Sequence, residues 1–82
     1  MYKEQKLQYK DYTIEIIENN RYYQVLSWKD GLPHEFIIIK EEPYFVQELN
    51  FKNNPINVWG FKDYATAKKF AIKMIKERLK EE

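Results

Sequence analysis

Apolar and polar residues alternate with a period of two over most of the first 61 residues, as is typical of β-strands. Short clusters rich in Asn, Asp, Gly and Pro separate the alternating runs. The runs cover residues 12–18, 21–28, 35–40, 44–51 and 56–61. Because consecutive strands joined by short turns usually pair with each other, the pattern predicts an antiparallel meander. The meander has four strands, or five if residues 56–61 form a strand and not an extended lead-in to a helix.

The segments between the runs have the composition of tight turns. Residues 19–20 are both Asn, which tolerates positive φ, so they are suited to a two-residue hairpin turn. Residues 29–31, Lys-Asp-Gly, form a second turn, and we expect residues 32–33 to lengthen that loop. Residues 41–43 and 53–55 end in Pro, which cannot donate to a central ladder, and they mark the third and fourth turns.

After Asp63 the period changes to that of an amphipathic helix, which we predict from about Tyr64 to about Lys80. Asp63 is a suitable N-cap because its carboxylate can accept the unpaired N–H groups of the first turn. The residues on the apolar side of this helix are Ala67, Phe70, Ala71, Met74 and Ile75, with Leu79 at the edge. Phe70 and Met74 are expected to insert into the sheet, against Ile14, Leu26 and Phe36.

These elements predict one small α+β domain over residues 1–82, with the helix packed on one face of the sheet. We expect the helix to cover the face with Tyr12, Ile14 and Ile16, which is the more continuously apolar one. The strand 12–18 is half polar and is predicted to lie at an edge. Residues 1–8 are polar and are candidates for a frayed terminus, which Tyr2 and Leu7 would otherwise hold in place.

A single helix covers one face of a small sheet, yet residues 21–28 and 35–40 are apolar on both faces. The uncovered face must therefore curl on itself, meet a second copy, or meet a partner. Tyr and Trp are enriched at interfaces, and aromatic residues make up 17% of this chain. We infer a non-enzymatic interaction module, an inhibitor or accessory factor, that binds a protein partner or forms a homodimer. The candidate patch consists of Tyr23, Val25, Ile37, Ile39 and Tyr44.

The alternative is a module that binds nucleic acid. Four lysines are spaced to share the outer side of the helix: Lys69, Lys73, Lys76 and Lys80. They could contact phosphates, while aromatic side chains on the sheet stack on unpaired bases. However, lysines are also good helix formers that simply solvate an outer face. The formal net charge is only +1, whereas a duplex-binding domain is usually strongly basic, so this hypothesis is second.

Residues for catalysis and for metal binding are scarce. The chain has one His and no Cys, which excludes disulfides and thiolate metal sites. Ser27, His34 and Asp30 could formally make a triad, but no nucleophile elbow accompanies them. There is no P-loop and no dinucleotide-binding fingerprint. We therefore predict that the protein is not an enzyme and has no cofactor and no metal.

The distribution of apolar residues also indicates where the protein is located. No apolar run approaches the roughly 20 residues that a membrane helix needs, and the N-terminus lacks the apolar core of a signal peptide. A small secreted domain would usually need disulfides, so we expect a cytoplasmic protein.

Lys, Ile, Asn and Tyr are abundant, and all four have AT-rich codons. This bias suggests a low-GC bacterium, or its phages and mobile elements.

Three parts of the chain resemble the arm-binding domains of tyrosine integrases, which have three strands and a helix. They are residues 22–25, Gly31, and residues 61–71, which include the helix start after Phe61. The segment 44–58 adds a further strand that those domains lack, and the resemblance is not taken as membership of that family.

Overall fold

Six strands and one helix follow one another in the computed structural model, which describes residues 3–80. The strands are β1 (Lys3–Tyr9), β2 (Tyr12–Glu18), β3 (Tyr22–Lys29), β4 (Leu32–Ile39), β5 (Tyr44–Leu49) and β6 (Pro55–Phe61), and the helix is α1 (Tyr64–Lys80). Each strand pairs antiparallel with the next, so the order in the sheet is the order in the chain. The predicted α+β meander with one C-terminal helix is confirmed, with six strands in place of four or five.

The strand β1 is the element that the sequence pattern did not predict. It pairs with β2 along its whole length, from Lys3 opposite Glu18 to Tyr9 opposite Tyr12. Consequently β2 is an interior strand, and the prediction that it lies at an edge is wrong. Leu7 is partly buried against the core, whereas Tyr2 lies outside the described residues. Because an edge strand is largely solvated, most of β1 is polar and shows no clear alternation.

The turn between β3 and β4 determines how these strands align. Asp30 (φ 55°) and Gly31 (φ 78°) form a two-residue turn, and Lys29 pairs with Leu32. Asp-Gly is favoured here because both central residues of such a turn need positive φ. The loop is therefore not lengthened by residues 32–33, which belong to β4.

Asn19 stabilises the turn between β2 and β3 through its side chain. Its Oδ1 accepts hydrogen bonds from the backbone N–H groups of Arg21 and Tyr22, both at 2.9 Å. Neither Asn19 nor Asn20 has a positive φ, so the predicted backbone conformation is wrong although the turn itself is present. Asn side chains commonly satisfy backbone N–H groups two or three residues later in this way.

The helix packs on the face of the sheet that we call the covered face. The buried side chains on this face are Ile14, Ile16, Val25, Ser27, Phe36, Ile38, Val46 and Glu48. The prediction that the helix covers the side with Ile14 and Ile16 is therefore confirmed. Asp63 caps the helix as predicted, because its Oδ1 accepts the Thr66 N–H at 2.8 Å. This hydrogen bond, and a second one that the Thr66 hydroxyl donates to Oδ2, lower the pKa of Asp63.

The helix meets the sheet through a stripe of residues four apart, Ala67, Ala71, Ile75 and Leu79, all of which are buried. Phe70 is only partly buried at the flank, where its ring centroid lies 4.9 Å from that of Trp59 and 5.0 Å from that of Phe61. Met74 is also only partly buried. The expectation that Phe70 and Met74 insert into the sheet is wrong, because Ala67, Ala71, Ile75 and Leu79 occupy the side of the helix that is buried against it.

The sheet curls around the helix. Six strands at about 4.8 Å spacing span roughly 24 Å, whereas a helix with its side chains is about 10–12 Å wide. The helix packs against β3, β4, β5 and β6. β1 reaches its flank instead: Lys76 Nζ lies 5.3 Å from the centroid of the Tyr9 ring, and Lys68 Nζ lies 3.5 Å from Gln5 Oε1.

Substitutions on two sides of α1 test this packing. Ile75→Ala should lower the free energy of unfolding by about 2–5 kcal/mol, because it removes a fully buried side chain and leaves a cavity. Lys73→Ala, on the exposed side of the same helix, should change it by no more than about 0.5 kcal/mol. Urea denaturation measures both values. Similar losses for the two variants would contradict the assignment of the helix faces.

Candidate interaction surface

The face of the sheet opposite the helix, which we call the open face, keeps many apolar side chains. Alternation along each strand places on it the residues Ile17, Tyr22, Leu26, Trp28, Ile37, Ile39, Phe45, Leu49 and Val58. Three of them are largely exposed: Trp28 and Val58 at 56% each, and Phe45 at 43%. Because a monomeric protein rarely exposes a contiguous apolar surface without a use for it, this face is the candidate interaction surface.

The open face contains a shallow groove of about 600 Å³, which we call the open groove. Its apolar lining comes from β3, β4, β5 and the loop after β5, namely from Leu26, Trp28, Pro33, Ile37, Leu49 and Phe51. Phe51 is 65% exposed and Trp28 is 56% exposed, and both line the groove. Exposed aromatic side chains beside half-buried aliphatic ones are the usual composition of an interface core.

The polar side chains of the open groove are Tyr22, Gln24, Glu35 and Asn53. Glu35 lies between Leu26 and Leu49 on the neighbouring strands, and its Oε2 accepts a hydrogen bond from Gln24 Nε2. A carboxylate is therefore surrounded by apolar groups, and the residues that line the groove include no Lys or Arg. A surface that complements this groove is apolar and carries a positive charge.

The structure divides the five residues of the predicted patch between the two faces. Ile37 and Ile39 lie on the open face, as expected. Val25 is fully buried in the core, opposite Phe36, and Tyr23 and Tyr44 lie on the covered side. The five residues do not form one surface, and their assignment to a single uncovered face is wrong.

One signal in the sequence could have found the correct face of β3. A two-residue Asp30-Gly31 turn pairs Lys29 with Leu32, and counting back along both strands places Val25 opposite Phe36. Because directly opposite residues point to the same face of a sheet, a core position for Phe36 requires a core position for Val25. If residues 32–33 are counted as part of the turn, β3 and β4 are aligned in a different register. Leu26 and Trp28, which line the open groove, were missed for that reason.

Tyr23 and Tyr44 surround the first residue of the helix, Tyr64. The rings of Tyr23 and Tyr64 stack with their centroids 4.1 Å apart, and that of Tyr44 is 6.3 Å from Tyr64. Burial, followed by the neighbouring Tyr23 and Glu18, raises the pKa of Tyr64 to about 12. Burial also raises the pKa of Tyr23. Both phenols are therefore protonated at neutral pH and are suited to packing rather than to proton abstraction.

The four lysines of the alternative hypothesis lie along one side of α1 as predicted. With Tyr9, Ile72 and Glu77 they line a second shallow groove of about 410 Å³. Lys69, Lys73 and Lys80 are exposed, while Lys76 is half-buried over the Tyr9 ring. Glu77 adds a negative charge to this groove, and its Oε2 lies 4.0 Å from Lys80 Nζ. The lysines thus form a basic side of the molecule that is separate from the open groove.

The residues of the formal triad are used by the fold. Ser27 is 1% exposed, and its hydroxyl donates a hydrogen bond to the Thr13 carbonyl at 2.8 Å. This hydroxyl is not presented to a substrate. His34 is the cross-strand neighbour of Ser27, and Asp30 is part of the turn with positive φ. Residues 3–80 contain no group of three or more His, Asp or Glu side chains that could hold a metal ion.

Glu48 is a buried carboxylate on the covered face, and Arg78 and Asn57 surround it. Its Oε2 accepts from Arg78 Nε at 2.8 Å, while its Oε1 accepts from Arg78 Nη2 at 3.0 Å and from Asn57 Nδ2 at 2.9 Å. The hydrogen bonds from Arg78 lower the pKa of Glu48 despite burial. A perturbed carboxylate can mark an active site. Here, however, Arg78 joins the end of α1 to β5 and Asn57 joins β6 to β5, so the group is structural.

Comparison of the chain with protein-family models, curated proteins and solved structures finds no match. In the part of the chain that the structure describes, no helix combines the length and the apolarity needed to cross a membrane. The open groove and the lysine side of α1 are therefore the two surfaces of the described residues that are candidates for function.

The Glu48–Arg78 pair should make the stability of the domain depend on pH. Because the pKa of Glu48 in the folded state is below the ordinary value of 4.5, the pair contributes fully above that pH. Its contribution is lost as the pH falls through the folded-state pKa. The free energy of unfolding should therefore decrease in acid, and Glu48→Gln should flatten this decrease. Urea denaturation at a series of pH values measures the slope.

The control for this prediction is Glu41→Gln, which changes an exposed carboxylate between β4 and β5. It should leave the acid slope of the wild-type protein unchanged. If both variants gave the wild-type slope, the Arg78 contact would not stabilise the folded state in the way described.

Proposed function

We propose that this protein is a non-enzymatic interaction module whose open groove binds a protein partner. The observation that carries the proposal is the groove itself, where exposed Trp28 and Phe51 stand beside half-buried aliphatic side chains on a face that α1 leaves uncovered. Aromatic anchors within a partly desolvated surface are the groups that contribute most to protein association. The strands beneath them provide a rigid platform.

The charge of the groove defines the partner further. Glu35 would repel a phosphate backbone, because it places a carboxylate among the apolar lining residues. It also disfavours a second copy at this site, since a two-fold contact centred on the groove would place Glu35 against Glu35. A protein that presents a Lys or Arg among apolar side chains complements both the shape and the charge.

The setting that we propose for this module is the cytoplasm of a low-GC bacterium, with a phage or mobile element as the source of the gene. The support is compositional: the absence of Cys and the abundance of residues with AT-rich codons. A small inhibitor or accessory factor fits the size of the chain, which leaves little room for a second site with its own core.

Substitutions in the open groove test the proposal. Trp28→Lys and Ile37→Lys each place a positive charge where the partner is expected to be apolar and positively charged, so binding should fall at least about tenfold, as for a central interface residue. The immobilised protein would be used to capture partners from a lysate of the source cells after nuclease treatment. The affinity of each captured protein would then be measured by titration, with backbone amide shifts of the domain locating the contact.

The matched control is the triple variant Lys69→Gln, Lys73→Gln and Lys76→Gln, on the opposite side of the molecule. It should retain the partner that the groove variants lose, and circular dichroism should show that every variant is folded. A partner that binds all the groove variants normally, or amide shifts outside β3, β4, β5 and the loop after β5, would refute the assignment of the site.

The lysine side supports a second candidate function, the binding of a nucleic acid. The favouring observation is that Lys69, Lys73 and Lys80 are exposed along one side of α1, next to the Tyr9 ring. If the lysine side binds nucleic acid, the affinity for a labelled single-stranded oligonucleotide should fall steeply as the salt concentration rises, because released counterions drive the binding. The triple lysine variant abolishes the binding, and Trp28→Lys leaves it unchanged. Anisotropy titrations at several salt concentrations distinguish the two functions.

A further inference from the structure

The two edges of the sheet differ in their protection. An edge strand presents unpaired N–H and C=O groups, and charged side chains are a common means of keeping other strands away. β1 carries exposed Lys3, Glu4 and Lys6. β6 has the sequence Pro-Ile-Asn-Val-Trp-Gly-Phe and contains no charged residue, although Pro55 and a register shift opposite Glu48 and Leu49 interrupt its first residues. Within residues 3–80 it pairs only with β5, so one of its sides is free for another strand.

β6 is also apolar on both faces, which is typical of a strand with neighbours on each side. Ile56 and Val58 point to the open face and are 53% and 56% exposed. Trp59 and Phe61, on the covered side, pack against Phe70 of the helix. An edge strand with this composition gains from a neighbour in two ways, through the hydrogen bonds of a ladder and through the burial of its exposed side chains.

We propose that β6 pairs antiparallel with β6 of a second copy of this chain, around a two-fold axis at Val58. A second copy fits because the edge it meets is identical: uncharged, apolar and of the same length. This two-fold contact is isologous and closed. It pairs the free β6 edges of both copies with each other and leaves the charged β1 edges outermost. The surface is separate from the open groove, and the inference goes beyond the proposed function.

The residues of β6 match each other in this register. Val58 lies opposite Val58 of the second copy, and Ile56 lies opposite Gly60. Gly60 has no side chain, and the Phe45 ring occupies the space above it, with Cε1 3.4 Å from the position of a Cβ. Because Phe45 is 43% exposed, Ile56 of the second copy can pack against its free ring surface. In this arrangement the exposed side chains of Phe45, Ile56 and Val58 are covered by the second copy.

A single-cysteine variant tests both the contact and its register. The chain contains no Cys, so Val58→Cys introduces a unique thiol. Directly opposite residues of an antiparallel pair have Cα atoms about 4.5–5.5 Å apart, within the disulfide range of about 4.4–6.8 Å. The matched control is Trp28→Cys, since Trp28 and Val58 are both 56% exposed. Under mild oxidation Val58→Cys should form the covalent dimer at least about tenfold faster, because pairing raises the effective thiol concentration.

The mass in solution provides the second measurement. Sedimentation equilibrium of the wild-type protein across a dilution series should show a transition from 10.1 kDa to twice that mass. Val58→Lys places a charge on the exposed edge and should shift the protein to the monomer at all concentrations. Its thermal melt should show that it remains folded, because Val58 is not part of the core.

Several outcomes would overturn the proposal. One is a wild-type protein that is monomeric throughout the series, which would leave β6 for an extended segment of another protein. A second is equal rates of disulfide formation for Val58→Cys and Trp28→Cys. A third is a dimer that Trp28→Lys dissociates and Val58→Lys does not. A fourth is open-ended polymerisation, which would indicate pairing of β6 with the β1 edge.

Discussion

The limited area that α1 can cover is the constraint on which the rest of the structure depends. A single helix about 10–12 Å wide has to close a sheet about 24 Å wide. The sheet curls so that β3 to β6 lie beneath the helix and β1 reaches its flank. Ala67, Ala71, Ile75 and Leu79 are the residues that α1 buries against the strands. Among residues 3–80, no second helix covers the opposite face.

Two polar residues of the covered face show how this arrangement is stabilised. Ser27 is small enough to fit under the helix, and it satisfies its hydroxyl on the Thr13 carbonyl. Glu48 is buried because Arg78 and Asn57 supply three hydrogen bonds to its two oxygens. Each of these two residues is followed in the chain by a more apolar residue on the open face. Trp28 follows Ser27, and Leu49 follows Glu48. The open face is therefore unusually apolar for a solvated surface.

The elements that could be predicted from sequence are those with a strong local signal. The helix has an N-cap, Asp63, and a clear 3.6-residue period, and its bounds at Tyr64 and Lys80 agree with the prediction. The strand β1 was missed because Lys3 to Lys6 lack alternation, and only pairing with β2 makes them a strand.

The faces of the sheet were harder to predict, because period-two alternation divides a strand into two sets without stating which set faces the helix. In β3 the set with Leu26 and Trp28 is more hydrophobic than the set with Val25 and Ser27, so composition favours the wrong one. The register through Asp30-Gly31 identifies the correct set. The partners that make Glu48 tolerable in the core lie 9 and 30 residues away, beyond any local pattern.

The open groove and the β6 edge have a geometric relation that follows from antiparallel pairing. Residues directly opposite each other in an antiparallel pair point to the same side of the sheet. A two-fold contact at Val58 therefore joins the two sheets so that both open faces, and both grooves, lie on the same side. The proposed dimer then presents two apolar, acidic grooves to a single partner surface. For a partner with repeated or symmetric binding sites, the second contact becomes intramolecular, and the effective affinity rises without any new interaction within either groove. A weak individual groove, as expected for a shallow surface on a domain of 82 residues, can in that arrangement still give a stable complex.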